Sequence, residues 1–401
     1  MQIDFAKCSF GKEERTAVNR VLQGNWLASG PEGEAFEKEF AEYVGTKYAI
    51  CVNSGSSANL LALSSLNLRK GSKVLTSACG FPATLSPILH LGLTPVLVDY
   101  DIATHNIDID QVLNKICNIN HDIKAIIFAH TLGNPVDMKE LIVNCDLYDV
   151  PIIEDCCESI GTKVNGKSVG SFGTCGTFSF YPSHQMTALG GGGMITTNDE
   201  GLMKEMKSMR DWGKMWDWNS DKGNVTTSYT TKVDGMDYFP GYAYQTIGYN
   251  FKLPEANCAF GREQLKRLDG FRKQREENFI YLYKNLAGLD AFLDIEVDWK
   301  NTEISWFGFP MTLKDSFGSR NAFGDFLESC GIRHRPFFAG NILRHKPFSG
   351  ISSAYAGNFP VADKLMRDSL FVGCWPGMTK EMLDYIIEKV KTYVDSVHIK
   401  L

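Results

Sequence analysis

Hydrophobic positions in the first two thirds of the chain alternate between two rhythms. Short β-branched runs (KYAICVN, KVLTSA, TPVLVDY) are followed by stretches with helical spacing (SSANLLALSSLNL, FPATLSPILHLG, DIDQVLNKICN). The pattern repeats with KAIIFAHT, DMKELIVNCDLY and VPIIEDCC, then GTFSFY, GGMITTN and the helical EGLMKEMKSMRDWG. Near-continuous apolar strands separated by amphipathic helices predict an α/β fold with a mainly parallel central sheet and helices on both faces. Ligands of such sheets bind at the carboxyl ends of the strands.

From about 214 to 246 the chain turns polar, aromatic and glycine-rich without a period, which predicts a long functional loop or insertion. One helical run is expected from Pro254 to about Asn285, and SWFGFPMTL, SRNAFGDFLESCG and KEMLDYIIEKVKTYV predict a small α+β domain. The expected division is a large domain over 1–253 and a small one, with its connecting helix, over 254–401.

Composition narrows the function. With 44% hydrophobic residues among 401, the chain can bury a large core. Its 41 basic and 47 acidic residues give a formal charge of −6 with no basic stripe, which argues against a nucleic-acid partner. The amino terminus shows no apolar signal region, and no run approaches a membrane span, so a cytoplasmic protein without membrane association is expected. Eleven cysteines include no C-x-x-C pair, and eight histidines no H-E-x-x-H; buried free thiols and no metal site are expected.

Several stretches carry candidate chemistry. GTKVNGKS (161–168) matches the phosphate-loop pattern letter for letter, but VGSFGTCGTF follows it and cannot start a helix. Asn165-Gly166 instead predicts a hairpin turn. In VNSGSSANLLAL a strand runs into Ser54-Gly55-Ser56-Ser57 and then a helix, which serves equally as an anion cradle or an ordinary serine cap. Phe81 of ACGFPAT either packs in the core or stacks on a flat ring. IIEDCCES brings Glu154 and Asp155 to the end of a strand, and SFYPSHQMTALGGGG holds Ser179, His184 and four glycines.

In this order and spacing the stretches resemble fold-type I, aspartate aminotransferase-like, pyridoxal phosphate (PLP) enzymes. More specifically, almost the whole chain, from GPEGEAFEKEFAEYVGTKYAICVNSGSSANLLAL through TIGYNFKLPEANCAFGREQLKRLD, resembles the DegT/DnrJ/EryC1/StrS nucleotide-sugar aminotransferases. The resemblance implies that Asp155 pairs with the pyridine nitrogen, Phe81 stacks on the ring and Glu158 lies near its 3-hydroxyl. It implies a phosphate held by Gly55, Ser56, Ser57 and Ser179, joined by Asn250 of a neighbouring subunit, hence a homodimer with shared active sites. Trp26, Tyr181 and Arg335 are candidate substrate contacts, with the aromatics Trp216, Trp218, Tyr242 and Tyr244 as further ones.

Where these aminotransferases carry the lysine that anchors the cofactor, this chain has His184. That exchange marks a subgroup, the 3-dehydratases of nucleotide-linked 4-keto-6-deoxyhexoses, which hold pyridoxamine phosphate (PMP) or PLP noncovalently. The resemblance implies that His184 is the base, that the C3 hydroxyl is lost, and that a 4-keto-3,6-dideoxy sugar results. One branch acts on CDP-sugars with a [2Fe–2S] cluster and an external reductase; another acts on GDP-sugars and is recharged by L-glutamate. A cluster needs about four thiolates. No cysteine lies between Cys175 and Cys258, where the cluster branch has most of its ligands, so no Fe–S cluster is expected. GDP with glutamate recharging is the favoured reading; a CDP- or dTDP-sugar enzyme using an external reductant, or an aminotransferase with a displaced lysine such as Lys163 or Lys167, is the alternative.

Overall fold

A computed structural model describes the chain except residues 119–121, 216–230, 290, 294, 352–356 and 399–401. Its main feature is a seven-stranded sheet in the spatial order Tyr48–Val52, Gly193–Thr197, Cys175–Ser179, Ile152–Asp155, Ile123–Ala129, Lys73–Ser77, Thr94–Val98. Gly193–Thr197 runs opposite to the other six strands, so the sheet is mainly parallel as expected. Ile152–Asp155 and Cys175–Ser179 are buried along their whole length, as central strands covered on both faces must be. The helix Pro31–Val44 lays Phe36 and Phe40 against Phe180 and Phe178, with Phe40 edge-on to Phe178 at 5.0 Å. That contact fixes the strand end bearing Ser179.

Local chemistry sets the helix starts. Ser54 caps Gly55–Ser65 by accepting from the Ser57 amide at 3.1 Å, and Asp108 and Asp199 cap Ile109–Ile116 and Glu200–Arg210 in the same way. The phosphate-loop decoy is a hairpin: Lys163–Val164 pairs antiparallel with Lys167–Ser168. Asn165 and Gly166 turn it with φ of 50° and 76°, left-handed values that asparagine and glycine tolerate.

Two expectations change. The run from Pro254 is two helices, Glu255–Leu265 and Leu268–Leu286, with Pro254 outside as the cap. They part at Arg267, which turns to Glu14 at 2.8 Å and the Ser9 carbonyl; no proline or glycine marks the break. The aperiodic loop holds a short exposed hairpin, Thr231–Val233 with Met236–Tyr238, whereas Trp216 and Trp218 lie outside the described residues.

A second, antiparallel sheet follows the order Phe292–Leu293, Gly308–Leu313, Ser369–Gly373, His334–Pro336. The first residues of the chain join it: the Ile3 amide donates to Gly331 O at 2.9 Å, and Phe5 packs between Phe307 and Phe371. Conversely, Glu255–Leu265 packs on the early helices Lys12–Gly24 and Pro31–Val44. Its Glu255 accepts three amides, from Gly30, Glu32 and Gly33, each at 2.9 Å.

Main-chain bonds tie this second sheet to the carboxyl edge of the first: Phe307 N to Leu132 O at 2.8 Å, Ala339 N to Gly80 O at 3.1 Å and Ile342 N to Ala78 O at 2.9 Å. Asp99 adds to the tie by capping the helix Pro360–Asp368 through the amides of Val361 and Ala362. Among the described residues, no helix is long and apolar enough to cross a membrane.

Strand alternation gives adjacent carboxylates opposite tasks. Glu154, fully buried, accepts the amides of Gly170, Phe172 and Gly173 and bonds His130 Nε2 at 3.2 Å. Glu154→Ala would strand several buried donors, each costing about 1–3 kcal/mol. Urea unfolding should show a loss of about 3 kcal/mol or more; a loss below about 1 kcal/mol would contradict this structural role.

Candidate active site

A cavity of about 610 Å³ opens at the seam between the two sheets, at the carboxyl ends of the parallel strands. It is lined by Gly55, Ser56, Phe81, Asp155, Glu158, Ser179, Tyr181, His184 and Arg335, so one space collects most of the residues singled out in the sequence.

Asp155 ends its strand almost fully buried. Its Oδ2 accepts from Asn59 Nδ2 at 2.8 Å and Thr84 Oγ1 at 2.7 Å, and its Oδ1 from the Cys157 amide at 3.1 Å. Asn59 is locked in turn by Thr177, which donates to Asn59 Oδ1 at 2.5 Å. A carboxylate so surrounded is held rigidly with an edge on the cavity.

The cradle stands at the start of Gly55–Ser65, whose first amides have no partner within the helix. A Cβ on Gly55 would stand 2.7 Å from Ser179 Cβ and 2.8 Å from Cys157 Sγ, so only glycine lets helix start and strand end approach this closely. Ser57 differs from expectation: its hydroxyl bonds Ser54 at 3.0 Å and does not line the cavity. Phe81 is 56% exposed and lines the cavity, so it is no core residue.

The Glu158 carboxyl is buried, and its Oε2 accepts the Leu132 amide at 2.9 Å. Burial pushes it up to about 8, with the Leu132 bond opposing and the Asp155 charge adding to the rise, so it keeps its proton near neutrality. Leu132 has left-handed φ of 56°, and its carbonyl accepts from Phe307.

His184 sits between Tyr181 and Phe307, ring centres 6.0 and 5.3 Å away. Burial, with help from the Arg275 cation, pushes the imidazole down to about 3, so it is neutral at physiological pH. Its Nδ1 is buried without a hydrogen-bond partner. Arg335 stacks over Phe5 at 4.9 Å at the cavity wall.

Trp26 and Asn250 are not part of this cavity. Trp26 is exposed and bonds Ser29 O through its indole N–H, and Asn250 is exposed beside Asp211. Tyr242 and Tyr244 are likewise exposed and away from it. Among the described residues, no lysine lines the cavity. Lys163 and Lys167 lie on the hairpin against Tyr43 and Phe172.

Sequence reading did not single out Asn59, Thr84, Phe5, Phe307 or Arg275. An asparagine in the apolar helix SSANLLAL was a usable signal for the first; the others are joined to the site only by tertiary contacts.

One group of metal-type ligands comes together among the described residues: His130, Glu154 and Cys156. It closes on itself. His130 Nδ1 accepts the Val136 amide, so Nε2 carries the hydrogen donated to Glu154, and Cys156 Sγ donates to Glu154 O.

The fold is that of the fold-type I PLP-dependent enzymes. The chain belongs to the DegT/DnrJ/EryC1/StrS aminotransferase family, whose model matches residues 9–391. It is 37% identical to the lipopolysaccharide biosynthesis protein RfbH of Salmonella typhimurium over 95% of this chain and 89% of that one. It is 34% identical to dTDP-4-dehydro-2,6-dideoxy-D-glucose 3-dehydratase of Saccharopolyspora spinosa, over 96% and 84%. A solved structure of GDP-4-keto-6-deoxymannose-3-dehydratase with a trapped PLP-glutamate geminal diamine superposes with a TM-score of 0.85 at 31% identity, over 97% of this chain and all of that one.

The cavity fits such a cofactor: free amides and Ser179 at one end, a fixed carboxylate at another, an exposed phenyl ring, and the His184 side chain in the lining. Gly55→Ala should therefore weaken binding of pyridoxamine phosphate about tenfold or more, one group's worth of about 1.4 kcal/mol, read by absorbance titration. Unchanged affinity would remove the cradle from the phosphate site.

Glu158 makes a pH prediction for the ligand-free protein. Its folded value, about 8, exceeds the ordinary 4.5, so between those limits the native state holds the extra proton. The stability it contributes is therefore full below pH 4.5 and lost as pH rises through 8. Relative to Glu158→Gln, the wild type should lose up to about 1.4 kcal/mol per pH unit in this window. Parallel stability curves would contradict the raised value.

Proposed function

We propose that this chain is a PMP-dependent 3-dehydratase of a nucleotide-linked 4-keto-6-deoxyhexose, with GDP as the nucleotide and L-glutamate recharging the cofactor. The observation that carries the reading is His184: a neutral imidazole lines the cavity, and among the described residues no lysine does. Similarity to 3-dehydratases of dTDP- and GDP-sugars supports the reaction class, and the glutamate adduct named for the solved relative supports the recharging step.

Bound PMP supplies an amine for the sugar's C4 ketone and a pyridinium ring that takes up electron density. The residues of the chain do the rest. The Gly55 and Ser56 amides and the Ser179 hydroxyl hold the phosphate at the helix N-terminus, while Ser57 braces Ser54. Asp155, fixed by Asn59 and Thr84, keeps the ring nitrogen protonated. Phe81 covers one ring face, and Glu158 lies toward the 3-hydroxyl.

His184, neutral and lining the cavity, takes a proton from C4′ and returns it to the departing C3 hydroxyl. Tyr181 and Arg335 line the substrate side. Asn250, exposed and outside the lining of its own cavity, is assigned to the phosphate of a second copy in a homodimer. Trp26 lies outside the cavity lining in the single chain.

Borohydride treatment followed by peptide mass spectrometry tests the reading. The wild type should show no phosphopyridoxyl-lysine, and His184→Lys should gain one at that position and lose C3 deoxygenation. A covalent lysine adduct in the wild type would instead make the protein an aminotransferase.

A further inference from the structure

The helix Leu268–Leu286 carries a buried guanidinium into the wall behind the cavity. Arg275 is 2% exposed and, among the described residues, pairs with no carboxylate. Its Nη2 donates to the His184 carbonyl and its Nη1 to the Trp306 carbonyl, each at 3.0 Å. Cys374 Sγ also donates to Trp306 O, at 3.3 Å, behind the pair. Burying a cation against carbonyls alone is expensive, so its retention calls for a task.

The two carbonyls belong to opposite sides of the seam. His184 follows the strand Cys175–Ser179 of the first sheet, and Trp306 precedes Phe307, which enters the second sheet and packs on the His184 ring at 5.3 Å. The neighbouring bonds act in the same direction: Gln185 Nε2 donates to Glu158 O and to Ser305 O, and Asn278, one turn along the helix, donates to Trp375 O at 3.0 Å. Among the described residues, Arg275 alone hydrogen-bonds the main chain of His184 from across the seam.

We propose that Arg275 is the positioning residue of His184, its two-pronged clamp on the His184 and Trp306 carbonyls holding the imidazole against Phe307 in the orientation that moves the proton. This rests on the assignment of His184 as the proton-moving group. The clamp also places a permanent cation beside the imidazole, in keeping with the direction in which that ring is pushed. Other ionisable groups near the pair are Cys374 behind the guanidinium and Tyr181, Asp155, Cys157, Glu158 and Arg335 around the cavity. Arg272, on the same helix, is engaged by Glu276 and Glu303.

Lysine and methionine separate clamp from charge: lysine keeps a cation but cannot span two carbonyls in fork geometry, and methionine keeps only volume. The test uses the PMP-loaded protein and, independently of turnover, the imidazole of His184 followed by NMR in histidine-labelled protein, identified by its loss in His184→Asn. Both Arg275→Lys and Arg275→Met should bind PMP within about threefold of the wild type yet lose about tenfold to a hundredfold in kcat at little-changed KM. The His184 imidazole should titrate about one unit higher in Arg275→Met but not in Arg275→Lys.

Should Arg275→Met fail to fold, the Arg275→Lys protein decides through its kcat loss with cofactor affinity kept. Wild-type kcat in a folded variant, or parallel losses of cofactor binding and kcat with an unmoved imidazole, would overturn the proposal. If the wild type aminates the sugar, the functional reading fails while the imidazole titration still decides the role of Arg275.

Discussion

One residue's main chain joins the two halves of this site. Leu132 follows the strand Ile123–Ala129 in a left-handed turn, a conformation that costs a leucine about 1–2 kcal/mol. Its N–H goes to Glu158 inside the cavity, and its C=O accepts from Phe307 at the edge of the second sheet. The strain is offset because both groups are buried and paired there. Release of the Phe307 bond would loosen the seam at the cavity wall, and release of the Leu132 amide would leave the Glu158 carboxyl without its donor. The bonds from Ala339 and Ile342 and the Asp99 cap continue the same seam, so the cavity is a product of docking and belongs to neither sheet alone.

Local surroundings decide the charges. Three ionisable groups stand around one space under different rules. Asp155 is surrounded by donors from Asn59, Thr84 and the Cys157 amide, which suits an anion. Glu158 has a single amide and burial, which favours its proton. His184 has burial and a nearby cation, which favour the neutral ring. Anion, neutral acid and neutral base side by side form the kind of divided arrangement that proton chemistry at neutral pH requires. A lysine in place of His184 would bring a nucleophile able to bond the cofactor; the imidazole brings a base that cannot.

Much of this was legible in the sequence because the signals are local. The parallel strands announced themselves as apolar runs, the cradle as serine and glycine between strand and helix, and Asp155 and Ser179 as polar residues at strand ends. The phosphate-loop decoy fell to a local argument too, since the segment after it cannot start a helix. What escaped was what only packing creates. Asn59 and Thr84 lie 96 and 71 residues from the carboxylate they hold. Arg275 lies 91 residues from His184, and Phe5 reaches the cavity from the far end of the chain. The helix break at Arg267 has no breaker residue and depends on Glu14, and Ser57 Oγ accepts from the Ser54 hydroxyl beside the helix cap.

The central claim is that one neutral histidine, at the position where the family's aminotransferases carry their lysine, turns amino transfer into loss of a hydroxyl. Its most direct test is to incubate the protein with PLP, L-glutamate and a GDP-linked 4-keto-6-deoxyhexose in heavy water, then identify the sugar by mass spectrometry and NMR. The account predicts a 4-keto-3,6-dideoxy sugar with solvent deuterium at C3 and one ammonia released per sugar. A 4-amino sugar that retains its C3 hydroxyl, formed one for one with glutamate consumed, would contradict it.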